Sequence, residues 1–122
     1  MRILGNEIDE IQADLLRALA NPHRLRIVHR LGDGPTEVNE LARDLDMAQS
    51  TVSQHLAAMR GVGLVEATRD GRFVRYELAY PEILDACDLM RAVIVRRLTA
   101  LGSLAAASTL QSSPSTPVVT PR

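Results

Sequence analysis

Cysteine occurs once in the 122 residues, at position 87. A disulfide framework within the chain is therefore impossible, and so is a structural zinc site built from cysteines. A reducing cytoplasm is the expected compartment. Tryptophan is absent, and the aromatics are Phe73, Tyr76 and Tyr80 alone. Any core must be built from Leu, Val, Ile and Ala. Lysine is missing too, so every one of the 14 basic residues is an arginine. No apolar run approaches the roughly 18 residues that a membrane span needs. The opening stretch, Met1 to Glu7, lacks the apolar centre of a secretory signal. There is no Gly-x-Ser-x-Gly elbow, no Gly-x-Gly-x-x-Gly loop and no phosphate-binding loop, so neither enzymatic chemistry nor a cofactor is expected.

What is present suits one globular domain. Apolar residues make up 46% of the chain and charged residues 24%. Net charge is −1, unevenly spread. Residues 1–46 hold six arginines and nine acids, residues 47–80 four and three, and residues 81–122 four and three, giving −3, +1 and +1. The segment 111–122, QSSPSTPVVTPR, is rich in Ser, Thr and Pro and is expected to be a disordered tail behind a domain over 1–110.

Helical spacing of Ile8, Ile11, Leu15 and Leu19 predicts a first helix over about 8–19. Asn21-Pro22 ends it and begins a second, with Asn21 as N-cap and Pro22 in the first turn. Gly32-Asp33-Gly34-Pro35 closes that helix. Thr36 is the candidate N-cap of a third, with Val38, Leu41 and Leu45 as its apolar stripe. A fourth helix runs over about 49–60, with Val52, Leu56 and Met59 inward and Gly61-Val62-Gly63 as its stop. The period then shifts. Residues 64–69 and 72–78 read as two strands joined at Asp70-Gly71 by a type I′ turn. Pro81 opens a last helix whose stripe is Cys87, Met90, Ile94, Leu98 and Leu101. The chain is thus expected to be mostly α with a β-hairpin wing. Two short helices joined by a tight turn and followed by such a wing describe a winged helix-turn-helix, in which the second helix enters the DNA major groove.

The residues left over on the fourth helix fit that role. They are Gln49, Ser50, Thr51, Ser53, Gln54, His55 and Arg60, with no acid to repel phosphate. Glutamine pairs with adenine, hydroxyls meet bases or phosphates, and arginine grips guanine or phosphate. An ordinary solvated helix face mixes Glu with Lys or Arg instead. Arg69, Arg72 and Arg75 surround the hairpin tip and suit backbone or minor-groove contact. They also suit a charged edge that discourages aggregation. Arg72 is the best placed for phosphate, while Arg69 and Arg75 have Glu66 and Glu77 as neighbours. One such helix buries too little surface for specificity, and a two-fold dimer on an inverted repeat of double-stranded DNA supplies the rest. The apolar first and last helices are the expected homodimer surfaces.

In combination, these segments resemble the ArsR-type metalloregulator family of bacterial repressors. Ala18-Leu19-Ala20-Asn21-Pro22-His23-Arg24-Leu25-Arg26-Ile27 looks like its second-helix signature. Gln49-Ser50-Thr51-Val52-Ser53-Gln54-His55-Leu56, Gly63-Leu64-Val65, Arg69-Asp70-Gly71-Arg72 and Tyr76-Glu77-Leu78 follow in the family's order. The resemblance covers about residues 10–105. It implies a homodimer through the first and last helices and repression by operator binding, relieved by an effector. It does not imply a metal here. The family's third-helix thiolate site needs cysteines, and Glu40-Leu41-Ala42-Arg43-Asp44-Leu45 has none. Its last-helix site is half filled by Asp85-x-Cys87, but Leu98 and Leu101 occupy the other half, and carbon does not ligate metals. Ala48 also stands where an N-cap hydroxyl is usual, at a cost of about 1 kcal/mol unless Ser50 or Asp46 substitutes.

Two alternatives stay open on the sequence. Cys87, on the last helix, is a possible thiol, redox or soft-metal sensor at the dimer seam, although a small buried apolar role is the commoner fate of a cysteine. A winged helix can also serve as a protein-interaction module.

Overall fold

The computed structural model describes residues 2–102, with side chains from residue 5. The expected tail at 111–122 lies outside the described residues. Elements follow the order α1 (Arg2–Leu19), α2 (Pro22–Leu31), β1 (Thr36–Glu37), α3 (Val38–Leu45), α4 (Gln49–Gly61), β2 (Val65–Asp70), β3 (Phe73–Leu78) and α5 (Glu82–Ala100). The chain divides into two compact units, the first ending at Pro81 and the second beginning at Glu82.

In the first unit the core is aliphatic, as the shortage of aromatics requires. Ile27 and Val28 of α2, Leu41 of α3, and Val52, Leu56 and Met59 of α4 are fully buried, with Leu64 and Val65 beside them. The three residues from α4 are those its 4-3 spacing selects. Asn21 caps α2 as expected: its side-chain oxygen accepts from the backbone N–H of His23 at 2.8 Å and of Arg24 at 3.2 Å. Gly63 adopts φ +79 after α4, a left-handed conformation that glycine takes without steric cost. The N–H of Leu64 there returns to the Met59 carbonyl at 2.9 Å.

Several expectations are corrected. Helix α1 begins at Arg2 rather than near Ile8, because Gly5 and Asn6 continue it instead of stopping it. Thr36 is no N-cap. It lies in β1, paired with Tyr76 of β3, so the wing is a three-stranded antiparallel sheet of order β1-β3-β2. A two-residue strand has no periodicity to read. The buried Thr36 hydroxyl donates to the Gly34 carbonyl at 2.8 Å and accepts from Arg30 Nη1 at 3.3 Å. Glu37 precedes α3 with no side-chain cap. The hairpin register is also displaced by one residue. Asp70 pairs with Phe73, so the turn residues are Gly71 and Arg72. Gly71 has φ +65, whereas Asp46 is the only non-glycine with positive φ among the described residues. A type I′ turn needs two such residues, and one glycine at the first central position is the type II′ pattern instead.

The second unit contributes α5. Its buried residues are Cys87, Asp88 and Val95, with Leu98 half-buried. Met90, Ile94 and Leu101, expected on the same stripe as Cys87, are exposed together with Leu89 and Val93. The helix therefore has a second apolar face rather than one. Helix α1 is similar, with Ile8 52% and Ile11 65% exposed while Leu19 is buried.

Deleting the centre of the α4 stripe tests this core. Leu56→Ala is expected to lower unfolding free energy by about 2–5 kcal/mol in urea denaturation, and a loss below about 1 kcal/mol contradicts the packing described.

Candidate nucleic-acid interface

Helices α3 and α4 are joined by Asp46, Met47 and Ala48. Asp46 turns the chain with φ 54 and ψ 52, and its N–H closes α3 on the carbonyls of Ala42 and Arg43. Aspartate is among the few residues that tolerate this left-handed conformation. Arg30 ties α2 to α3: its Nε donates to Asp44 Oδ2 at 3.0 Å, and its Nη2 lies 3.0 Å from the same oxygen. Through Nη1 and Thr36 the same guanidinium reaches the sheet. The sequence reading missed this brace, since Arg30 and Asp44 are 14 residues apart in the chain.

Helix α4 presents three parallel rows, each spaced by four and then three residues. Val52, Leu56 and Met59 are buried; Thr51, His55 and Ala58 are half-buried; Ser50, Gln54 and Ala57 are exposed. Gln49, Ser53 and Arg60 are exposed as well. Burial of the first row thus fixes which hydrogen-bonding groups face outward. Of the seven candidates on this helix, Gln49, Ser50, Ser53, Gln54 and Arg60 form the open surface, and Thr51 lies at its margin. His55 is different. It is half-buried, its Nδ1 accepts from Arg24 Nε at 3.1 Å, and its ring lies 5.8 Å from that of His23, tilted by 34°. Burial, then the charges of Arg24 and His23, hold its pKa below the ordinary histidine value. His55 is thus a flank residue rather than a member of the open row.

At the start of α4, Ala48 has the extended geometry of an N-cap but no side chain caps the helix, so neither Ser50 nor Asp46 substitutes. The first N–H groups of α4, and the positive end of its dipole, remain available to an anion.

On the wing, Arg72 sits in the turn, and Arg69 and Arg75 are exposed on the strands that flank it. Strand alternation separates their roles. Arg69 lies opposite Val74, on the face that continues inward through Ala67 and Val65. Arg75 lies between Thr68 and Glu37 on the other face, with Glu66 and Glu77 further along it. Among the described residues neither arginine forms an ion pair with Glu66 or Glu77. Phe73, 57% exposed, adds an aromatic ring next to Arg72. In the second unit, burial and the neighbouring Asp88 raise the Cys87 pKa, against a smaller opposing effect of Arg91, which favours the protonated thiol over the thiolate.

A helix pair with a three-residue turn, an outward polar helix and an arginine-tipped hairpin define the winged helix-turn-helix class. A family profile described as "Bacterial regulatory protein, arsR family" matches residues 21–67. The chain is 34% identical over 91 residues to the uncharacterized HTH-type transcriptional regulator Rv0081 of Mycobacterium tuberculosis, covering 74% of this chain and 80% of that one. The crystal structure of Rv0081 superposes with a TM-score of 0.69 over 76% of this chain and 94% of its own. The chain belongs to the ArsR family. It is also 52% identical over 67 residues to the HTH-type transcriptional regulator CmtR of the same species, and that match spans 55% of this chain and 57% of CmtR's length. A homodimeric winged helix-turn-helix DNA-binding domain from Mycobacterium bovis, Mb0332, matches with a TM-score of 0.67 and 31% identity, over 73% of this chain and 82% of its own.

The uncapped start of α4 yields a direct test. Ala48→Ser is expected to stabilise the fold by about 1 kcal/mol in thermal denaturation, because a hydroxyl there reaches the N–H of Ser50 or Thr51. An unchanged or lowered stability contradicts the N-cap geometry assigned to position 48.

Proposed function

We propose that this chain is a homodimeric, sequence-specific DNA-binding transcriptional regulator, a repressor acting on an inverted-repeat operator in the cytoplasm, and not an enzyme. The observation that carries this reading is the outward face of α4. It offers Gln49, Ser50, Ser53, Gln54 and Arg60 with no carboxylate, while its apolar row is wholly buried. Gln54 and the serines read base edges, the free N–H groups and Arg60 take phosphates, and Arg72 anchors the wing on the adjacent backbone. Arg69 and Arg75 add charge beside it.

Self-association is supported by the apolar residues that α1 and α5 leave exposed, Ile8 and Ile11 on one, Leu89, Val93 and Ile94 on the other. Exposed apolar side chains grouped on a helix favour a partner surface. The Mb0332 domain is homodimeric, and a two-fold pair presents two α4 helices to two half-sites. Among the described residues no helix is long and apolar enough to cross a membrane.

The reading includes no metal of the family's usual kind. Leu98 of α5, Leu101 just after that helix, and the cysteine-free segment Glu40–Leu45 support that. Nor does it include a switch at Cys87, whose raised pKa works against thiolate chemistry.

Arginine and glutamine are expected to fail differently. Arg72→Ala weakens binding about equally on all duplexes and lowers the slope of log affinity against log salt by about one unit. Gln54→Ala relaxes preference at one base pair, by about 1–3 kcal/mol, with the salt slope retained. Fluorescence anisotropy on duplexes recovered from genomic fragments measures both. Unaltered binding by a Ser53/Gln54 double alanine variant removes α4 from the reading. A folded protein with no salt-dependent affinity for any duplex points to protein interaction instead.

A further inference from the structure

The half-buried row of α4 is not used by the reading above, yet it holds a polar junction between three helices. Arg24 of α2 is its centre. Its Nη1 donates to the Ala18 carbonyl at 3.1 Å, in the last turn of α1, where helical carbonyls lack intrahelical partners. Its Nε donates to His55 Nδ1 at 3.1 Å. Its backbone N–H is held by the Asn21 cap at 3.2 Å. A guanidinium can only donate, so Nδ1 must carry a lone pair. His55 is therefore the neutral tautomer with its proton on Nε2. The ring of His23, on α2, lies beside it.

We propose that Arg24 and His55 are positioning residues of the DNA-binding surface: by joining the last turn of α1 to the flank of α4, the Arg24 guanidinium fixes the roll angle at which Ser50, Ser53 and Gln54 are presented. The inference rests on the DNA-binding reading. The buried row settles which face of α4 is outward, but aliphatic contacts are non-directional and leave small rotations about the helix axis free. A directional contact on the flank removes that freedom. It also couples α4 to α1, one of the two proposed dimer helices, so that a displacement of α1 is passed to the base-reading row by a directional polar contact.

Protonation breaks the contact. An imidazolium has no lone pair at Nδ1, and it adds a cation beside Arg24 and His23. Arg24 and His23, both on α2, are the charges that act on His55, and no carboxylate of α1, α3 or β2 is among them. Because burial and these cations lower its pKa, His55 keeps the neutral, accepting form to lower pH than an ordinary histidine does.

The test compares His55→Leu, His55→Asn and Arg24→Met with the wild-type chain. Asparagine Oδ1 replaces Nδ1 as acceptor and cannot be protonated. Binding to a recovered duplex at about pH 7.5 is expected to weaken about tenfold for His55→Leu and Arg24→Met, the equivalent of one charge-assisted hydrogen bond, and less than about threefold for His55→Asn. From about pH 7.5 down through the midpoint of the His55 ring titration found by NMR, the wild type is expected to lose affinity relative to His55→Asn, which carries the same exposed His23 as a control. Wild-type affinity by His55→Leu, or coincident pH profiles for wild type and His55→Asn, overturns the proposal. So does a wild type that gains affinity over His55→Asn in acid, since His55 then contacts phosphate itself. A titration of the His55 ring by NMR needs no DNA: its pKa is expected to rise in Arg24→Met, and an unchanged value overturns the contact. If the wild type binds no duplex while the NMR result holds, the DNA-binding reading fails and the junction does not.

Discussion

Three side chains, Val52, Leu56 and Met59, must leave water together, and the rest of the candidate interface follows from that requirement. They lie on one row of α4, and each is completely buried. Once that row is inward, helix geometry leaves no choice about what is outward: Ser50, Gln54 and their neighbours point to solvent. Burying three such side chains favours this rotation by about 1.5–3 kcal/mol for each, before any polar contact forms. The surface that meets a ligand is thus a consequence of the core and carries little of the fold's stability itself. The chain keeps that surface free of acids at no structural cost.

Around this helix the polar contacts act as braces. Arg30 holds α2 against Asp44 of α3 and against Thr36 of the sheet. Arg24 holds α2 against α1 and α4. In both cases one guanidinium adds a directional contact between elements that the aliphatic core packs without one. An arginine suits such work because its donors are spread over a rigid plane. This gives a structural use to part of an all-arginine set of cations. Those at the wing, Arg69, Arg72 and Arg75, stay exposed, as does Arg60 of α4, and all four are available to phosphate.

Much of this was legible in the sequence, and the limits are physical. Helix α4, its buried row and the glycine that ends it could be read because apolar spacing and glycine's tolerance of positive φ are local signals. Asn21 as a cap was legible for the same reason. Strand β1 was not, because two residues show no alternation and Thr36 carries a strong but misleading resemblance to a helix cap. The hairpin turn was displaced by one residue because Asp70-Gly71 and Gly71-Arg72 both place glycine where positive φ is needed. Helical spacing joins Cys87 to Leu101 in one stripe, whereas Met90 and Ile94 stand on an exposed face of α5 and Leu101 lies past its end; spacing alone does not separate two apolar faces on one helix. His55 was grouped with the open row because its type suits base contact, and only a partner 31 residues away shows that it turns to Arg24.

The central claim is that a symmetric pair of these chains lays two α4 surfaces on one duplex. Hydroxyl-radical footprinting of a duplex recovered from genomic fragments examines it most directly. The account predicts two protected backbone patches related by a two-fold axis, with centres about 10–10.5 base pairs apart or a multiple of that, and flanking protection from the wings. A single asymmetric patch, or no protection even at low salt, contradicts it.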